Sequence, residues 1–439
     1  MLGLGCRIVC PHDKYCVSKL MIWCALGIIA GVIFGIIPGA GPFLAVAVFY
    51  PFLAFVSPFE ILLFYVALII TSNYTNSVTG ILYGIPGDAA AVTTARHGHK
   101  MFLEGKGHYA VSSNAVSSTL GSIFAIGIFL LFLSNIFDLF KFYNSTLQVA
   151  IIFFAVVCLV VLCEQAKWKS ISLFLVGGAL AKIGFDNLTY ETWGTFGIDY
   201  LTLGVPFSAV MIGLYIIPEI LKFKDKEFEE SEKISKFGYD IKTVPSTMIG
   251  AFVGFWSGLI PGVTNILGSY LSASMVKSDV NKIAAAESAN NSGALSSLLP
   301  LIILGIPIVS SEVLIYYLVL SRGFKFDIDN LHVFTSILYY IPFVLITCLL
   351  LSWLCFNQLG MIAKLIKKYK YFFTIGIVVF ISAMSIYIYP IKEWMVISLL
   401  ILSAVGYLIR KWDTFPVLYG FFLTDLFWNN LMRVVAIYS

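Results

Sequence analysis

Charge is what this chain most conspicuously lacks. Of its 439 residues, Asp, Glu, Lys and Arg together make up 12%, against about 25% in an ordinary soluble domain. With 59% apolar residues and a mean hydropathy of +0.92, too few polar groups remain to cover a water-facing surface. That excludes a soluble enzyme, a nucleic-acid binder and a disordered chain. Strands that alternate polar and apolar residues are also missing, which argues against a β-barrel. No Walker loop, nucleophile–base arrangement or redox motif is present, so neither ATP hydrolysis nor another enzymatic activity is expected. Lys182 is the one basic residue inside an apolar span. It lies near the span's end, where its ammonium can snorkel to the interface, so it is not a substrate clamp.

Standard metal spacing is absent too. Of eight Cys, five lie in or beside apolar spans and behave as small hydrophobes. Cys6, Cys10 and Cys16 with His12 form a cluster that fits no standard zinc pattern, so no metal or cofactor is expected. Arg7, Lys14 and Lys19 precede an apolar run, but that run continues into a Gly-Pro motif instead of a cleavage site, so a removable signal peptide is not expected.

What the chain does have is a series of apolar segments: 20–37, 42–56, 59–85, 109–136, 146–163, 169–184 and 198–221, then 245–260, 263–276, 284–320, 331–356, 371–389, 393–409 and 415–438. These read as membrane elements, several too short or too broken by Gly and Pro for a simple crossing. The Lys-rich stretch 222–242 is placed in the cytoplasm by its basic residues. So are the loops holding Arg96, Lys100 and Lys106, then Lys167 and Lys169, then Lys364 to Lys370, then Arg410 and Lys411. The loop 185–197, without Lys or Arg, reads as outside. Both termini fall outside if 20–56 and 245–276 each return to their starting side, which leaves Arg7, Lys14 and Lys19 as exceptions to the rule.

Two motifs recur in order. GIIPGAG at 35–41 returns as GLIPGVT at 258–264, and GIPG at 84–87 returns as GIPI at 305–308. The offsets are 223 and 221 positions. Because the end of the first half is cytoplasmic and the equivalent end of the second is outside, the halves read as inverted-topology repeats, an arrangement of secondary transporters. The expected fold is all-α: a polytopic transmembrane helical protein with two inverted repeats, each with a Pro-Gly hairpin and a broken helix. The divisions are a tail at 1–19, a first repeat at 20–221, a charged cytoplasmic linker at 222–243 and a second repeat at 244–439.

Pro removes a backbone donor and Gly relaxes the chain, so the breaks free backbone groups inside the membrane. A half-helix N-terminus there suits an anion. Polar side chains flank these breaks. They include Asn73, Asn76 and Ser77 within 71–79, then Thr264 and Asn265, then Asn290, Asn291 and Ser310. Asn290-Asn291 with Gly305 and Pro307, and Asn73 and Asn76 as their counterparts before Gly84-Ile85-Pro86, are the expected site. Adjacent amides and freed carbonyls also resemble an oxygen cage for sodium. Glu287 and Glu312 flank the second broken helix and are the candidates for ion coupling, whereas Glu60, Asp138, Glu164 and Glu219 lie at span ends.

These segments resemble the large membrane subunit of tripartite tricarboxylate transporters, the TctA family. The resemblance is carried by GIIPGAGPFLAVAVFYPF at 35–52, GIPGDAAAVTTARHGHKMFLEGKGHYA at 84–110, GIDYLTLGVPFSAVMIGLYIIPEIL at 197–221, GLIPGVTNILGSYLSAS at 258–274, AESANNSGALSSLLPLIILGIP at 286–307 and FPVLYGFFLTDLFWNNLMR at 415–433. It implies a carboxylate importer of the bacterial inner membrane, driven by an ion gradient. Its partners would be a small four-helix membrane subunit and a periplasmic solute-binding protein. It places Pro38, Gly39, Gly41, Pro86, Gly87, Pro261, Gly262, Asn290, Asn291, Gly305 and Pro307 at family motif positions. The chain departs from the family pattern at Gly84, where Asn is usual, at His97-Gly98 and at Ile308.

The leading expectation is a secondary active transporter for small organic anions, di- or tricarboxylates, coupled to Na+ or H+, with homo-oligomerisation left open. A passive anion pore is the alternative. A membrane-embedded enzyme would rest on His97, His99 and His108 alone, and loop histidines are usually solvated and inert.

Overall fold

A computed structural model describes residues 14–37, 41–84, 90–140, 165–186, 191–218, 238–259, 264–326, 331–354 and 389–414, with scattered positions in 146–157, 375–387 and 416–435. The tail holding Cys6, Cys10 and His12 lies outside them.

The first half begins with α1 (Lys14–Ile36), α2 (Gly41–Leu53), α3 (Pro58–Tyr83), α4 (Val92–Leu103) and α5 (Gly107–Phe140), followed by α6 (Lys167–Lys182). The second half holds α7 (Val244–Gly258), α8 (Thr264–Ser274), α9 (Asp279–Ser296), α10 (Leu298–Leu304), α11 (Ser310–Ser321), α12 (Leu331–Leu338), α13 (Ile341–Leu354) and α14 (Lys392–Leu408). Among the described residues, four stretches are long and apolar enough to cross a membrane: Lys19–Ile36, Pro58–Leu82, Gly107–Leu131 and Thr335–Ser352. The protein is a multi-pass membrane protein. Large apolar side chains such as Ile29, Ile33, Leu131, Phe252 and Leu400 remain exposed along its helices, as a lipid-facing surface requires. Trp168 and Trp412 stack edge to face 5.5 Å apart with the Lys169 ammonium over both rings, the composition of an interfacial belt.

One part of the all-α expectation is corrected. The loop read as 185–197 carries a two-stranded antiparallel ribbon, β1 (Gly184–Asp186) with β2 (Glu191–Trp193). Backbone groups outside the helices need their own partners, and Phe185, Thr192 and Trp193 suit extended pairing.

The polar stretch of α3 does not interrupt it either. The helix is continuous over Pro58–Tyr83, because its hydroxyls bond back within the helix: Thr75 Oγ1 donates to Thr71 O at 2.9 Å and Thr79 Oγ1 to Asn76 O at 2.8 Å. The break comes at Gly84, whose φ is +65° and whose N–H donates to Gly80 O at 2.9 Å. Gly305 repeats that geometry, with φ +64° and its N–H on Leu301 O at 2.9 Å. In the second half an additional interruption at Ser297 separates α9 from α10. Pro300 accounts for it, since its ring has no N–H for Ser296 O and crowds that carbonyl.

Two helix pairs pack at backbone distance. Gly27, Gly31 and Gly35 of α1 lie against Phe64, Leu68 and Ser72 of α3, and Gly250, Gly254 and Gly258 of α7 lie against Ala285, Ala289 and Gly293 of α9. Each pair runs side by side in one direction. The glycine triplets are 223 positions apart, the offset between Pro38 and Pro261. Small residues every fourth position let the backbones meet where any side chain would collide. Because α1 ends beside the middle of α3, the chain returns between them, and α2 is the described element of that return. By contrast, α3 and α9–α10 run in opposite directions: Ser77 meets Glu287, while Val66 shares a small apolar cavity with Leu298 and Ile302.

Candidate functional site

The crossing of α3 and α9 buries an unusual amount of polarity. Asn73, Asn76, Ser77, Glu287, Ser288, Asn290 and Asn291 are all at most 2% exposed. Ser77 joins the halves: its Oγ donates to Glu287 Oε1 at 2.6 Å and lies 3.0 Å from Asn76 Oδ1 and 3.5 Å from Asn73 O. One hydroxyl carries one proton and cannot satisfy three oxygens. A proton on Glu287, donated to Ser77 and relayed from Ser77 to Asn76, balances this set; so does a cation held among the oxygens. One turn beyond Glu287, neither amide atom of Asn290 has a hydrogen-bond partner, nor do Asn73 Nδ2, Asn76 Nδ2 and Ser288 Oγ. Leaving such groups buried and unpaired costs about 1–3 kcal/mol each, so this cluster is built for something besides stability.

A third helix closes the cluster. On α5, Ser113, Asn114, Ser117, Ser118 and Ser122 are buried. Asn114 Nδ2 donates to Tyr74 O of α3 at 3.3 Å, Ser117 Oγ lies 3.1 Å from Thr247 Oγ1 of α7, and Gly121 abuts Ser288 of α9. None of these α5 residues stood out in the sequence reading. The signal was there in VSSNAVSSTLGS at 111–122, with polar residues at helical spacing inside a segment counted only as apolar.

The other proposed residues lie elsewhere. Gly305 and Pro307 are buried beside the second break, and Ser310 opens α11. There both oxygens of the Glu312 carboxylate accept hydrogen bonds from this chain. Ser297 Oγ donates to its Oε1 at 2.7 Å, and the N–H groups of Ile308 and Val309 donate to its Oε2 at 2.6 and 3.2 Å. The neighbouring Ser311 Oγ lies 2.9 Å from Tyr65 OH. Tyr65 and Ser77 are twelve residues apart on α3, about 18 Å along a helix, so Glu287 and Glu312 belong to separate clusters. The two Asn sets are likewise not equivalent positions. Asn73 and Asn76 precede Gly84 by 11 and 8 residues, whereas Asn290 and Asn291 precede Gly305 by 15 and 14. Asn291 Nδ2 turns back onto Glu287 O within its own helix, at 3.2 Å. Gly41 opens α2 with φ +57°. Thr264 and Asn265 lie in the first turn of α8, while Pro38, Gly39, Pro86, Gly87, Pro261 and Gly262 fall outside the described residues.

At the start of α9, Asp279 accepts from Lys100 Nζ at 2.8 Å and lies 2.7 Å from His97 Nδ1, tying α4 to the second half. His99 Nδ1 instead lies 3.1 Å from Ile81 O. These histidines are thus committed to different helix contacts. Among the described residues no group of His, Cys, Asp and Glu could hold a metal ion.

Comparison with known proteins decides the family. Residues 21–418 match the tripartite tricarboxylate transporter TctA family. The chain belongs to the TctA family. It is therefore a component of a tricarboxylate transport system, and the family supplies the large subunit of a tripartite transporter, which works with partner proteins. An uncharacterized 52.8 kDa protein from the TAR-I ttuC' 3' region of Agrobacterium vitis is 25% identical over 95% of this chain and 87% of its own length. An uncharacterized protein of Methanocaldococcus jannaschii is 25% identical over 57% of this chain and 60% of its own length. No solved structure matches.

Proposed function

We propose that this TctA-family chain is the permease of an ion-coupled importer of small organic anions, di- or tricarboxylates. It would lie in the bacterial inner membrane, be fed by a periplasmic solute-binding protein and work beside a small four-helix subunit. The observation that carries the reading is the Ser77–Glu287 junction, 2.6 Å long and fully buried where the two halves cross. Protonation of Glu287, or a Na+ among its oxygens and those of Ser77 and Asn76, changes the charge at that crossing. An anionic substrate nearby is repelled by the bare carboxylate and tolerated once it is neutralised, which couples cation and carboxylate movement. The paired glycine triplets, the matched breaks at Gly84 and Gly305 and the opposed directions of α3 and α9 support reading the halves as inverted repeats that move against one another.

The test is uptake of labelled carboxylates by vesicles holding the chain, with Na+ and H+ gradients imposed separately, with and without companion subunits. Saturable accumulation that collapses with one gradient supports the reading and identifies the ion. Gradient-independent flux would favour the passive pore.

A further inference from the structure

We infer that the substrate's carboxylate is held by the side-chain amides of Asn73, Asn76 and Asn290 on one flank of the α3–α9 crossing, and that Asn290 ties that carboxylate to the cation at Glu287. The inference rests on the transport reading above and deepens it by naming the group that answers each charge.

Helix geometry brings these three amides together. Successive residues of an α-helix point about 100° apart. On α9, Ser288 meets Gly121 of α5, so Asn290, two residues on and about 200° round, lies on the flank away from α5. On α3, Asn114 of α5 bonds at Tyr74, and Asn76, again two residues on, takes the same remote flank. Asn73 and Asn76 are three residues apart and share a face, as Glu287 and Asn290 do. Because α3 and α9 run in opposite directions from the Ser77–Glu287 contact, one turn back along α3 and one turn on along α9 lead the same way. Asn73 and Asn290 are thereby brought to one level. Asn291 shares the face of Ser288, on the α5 side, and its Nδ2 already donates to Glu287 O.

What this flank offers is mostly donors. Among the described residues, Asn73 Nδ2, Asn76 Nδ2 and both amide atoms of Asn290 are buried without a hydrogen-bond partner, in residues at most 1% exposed. Asn76 Oδ1 accepts from Ser77 at 3.0 Å, so its nitrogen is the end left for a ligand. Each amide nitrogen carries two N–H donors, and a carboxylate is the acceptor that takes several at once. A bare cation would be repelled by those N–H dipoles, and an apolar ligand would leave them unpaired. The oxygen of Asn290 is the exception. It stands one turn from Glu287, where a proton or Na+ on that carboxylate gives it a partner. Asn290 thus answers two charges, its oxygen the cation and its nitrogen the anion. Neither α3 nor the stretch 283–305 contains Lys or Arg, so the neutral amides orient the substrate's charge without cancelling it. The cation at Glu287 supplies the compensating charge, which makes substrate binding depend on it.

The test reads citrate affinity of the purified full-length chain by calorimetry, in NaCl and in choline chloride, each at acid and neutral pH, beside the melting temperature. Asn73→Leu removes unpaired donors and nearly keeps the side chain's size. It should melt at or above the parent and bind citrate about tenfold more weakly, the loss of a hydrogen bond to a charged group, with the dependence on the cation intact. Asn290→Leu should weaken citrate at least as much and also flatten that dependence, because both ends of the amide are gone. Asn290→Asp keeps an oxygen for the cation and should bind no citrate; if it does not fold, the two Leu variants decide. Ser398→Ala removes an unpaired buried hydroxyl of α14, outside the crossing, and should leave citrate affinity unchanged. Parental affinity in both Leu variants, or a loss no greater than in Ser398→Ala, in a chain that transports citrate, overturns the site and leaves the transport reading standing. An Asn290→Leu chain whose affinity still follows the cation as the parent's does overturns the tie. If the parent chain binds and transports neither citrate nor succinate with its partners present, the transport reading falls and the site falls with it.

Discussion

Helix α3 faces two neighbours with opposite chemistry. Toward α1 it presents backbone to backbone, through Gly27, Gly31 and Gly35, where no side chain fits. Toward α9 it presents Asn73, Asn76 and Ser77 to Glu287 and Asn290, with several amide groups left unsatisfied. The α7–α9 pair repeats the first pattern through Gly250, Gly254 and Gly258. The α1–α3 and α7–α9 contacts are thus closed by backbone packing, whereas the α3–α9 crossing is polar and changes with charge; elsewhere the halves also meet at backbone distance, as where Gly121 lies on Ser288 and Gly177 on Val417.

The comparison breaks most severely at the glycines. Gly31→Leu or Gly254→Leu drives a side chain into the partner backbone, and overpacking of this kind costs about 3 kcal/mol or more. The expected outcome is a chain that melts far below the parent in detergent or fails to become monodisperse. At the α3–α9 crossing the reverse should hold. Glu287→Gln keeps the shape and removes the titratable charge, so the melting temperature stays near the parent's. Gradient-driven carboxylate accumulation should be lost, because the ionisable group at the crossing is gone. If Glu287→Gln still accumulates substrate against a gradient, the crossing is mere packing. Ser77→Ala removes the link but leaves the carboxyl, and should slow uptake by about tenfold, the value of one bond to a charged group, without changing which ion drives it.

The smallest effect belongs to the tie between Lys100, His97 and Asp279. The bond from Lys100 holds the Asp279 carboxyl below its ordinary range; partial burial opposes this, and His97 adds to it. A carboxyl lowered in the folded protein stabilises it above the ordinary Asp range, about pH 4, and that contribution is lost as pH falls through the lowered value. Asp279→Asn should therefore melt slightly below the parent near neutrality, with the gap closing under acid. A gap unchanged at low pH would assign the difference to something other than this ion pair.

How much of this was legible depends on range. The segments at 20–37, 42–56 and 59–85 appear as α1, α2 and α3 within a few residues, because hydropathy and the Gly and Pro breaks act locally. The recurrence of Gly-Ile-Pro located both breaks for the same reason. The polar face of α5 went unread because a mostly apolar composition hides a stripe that matters only once α9 packs on it. Glu312 was read as an ion-coupling group because its acidity is visible in the sequence, while the two N–H groups that saturate one of its oxygens are not.

By itself the sequence determined the solvent, the helical class, the family and the places where the helices stop. Those follow from composition and from the covalent properties of Gly and Pro. Only the tertiary structure decided which of several buried Asn, Ser and Glu residues meet. Ser77 and Glu287 lie 210 positions apart. No periodicity reaches across that interval; what brings them together is the close packing of α3 and α9, each against its own glycine-lined partner.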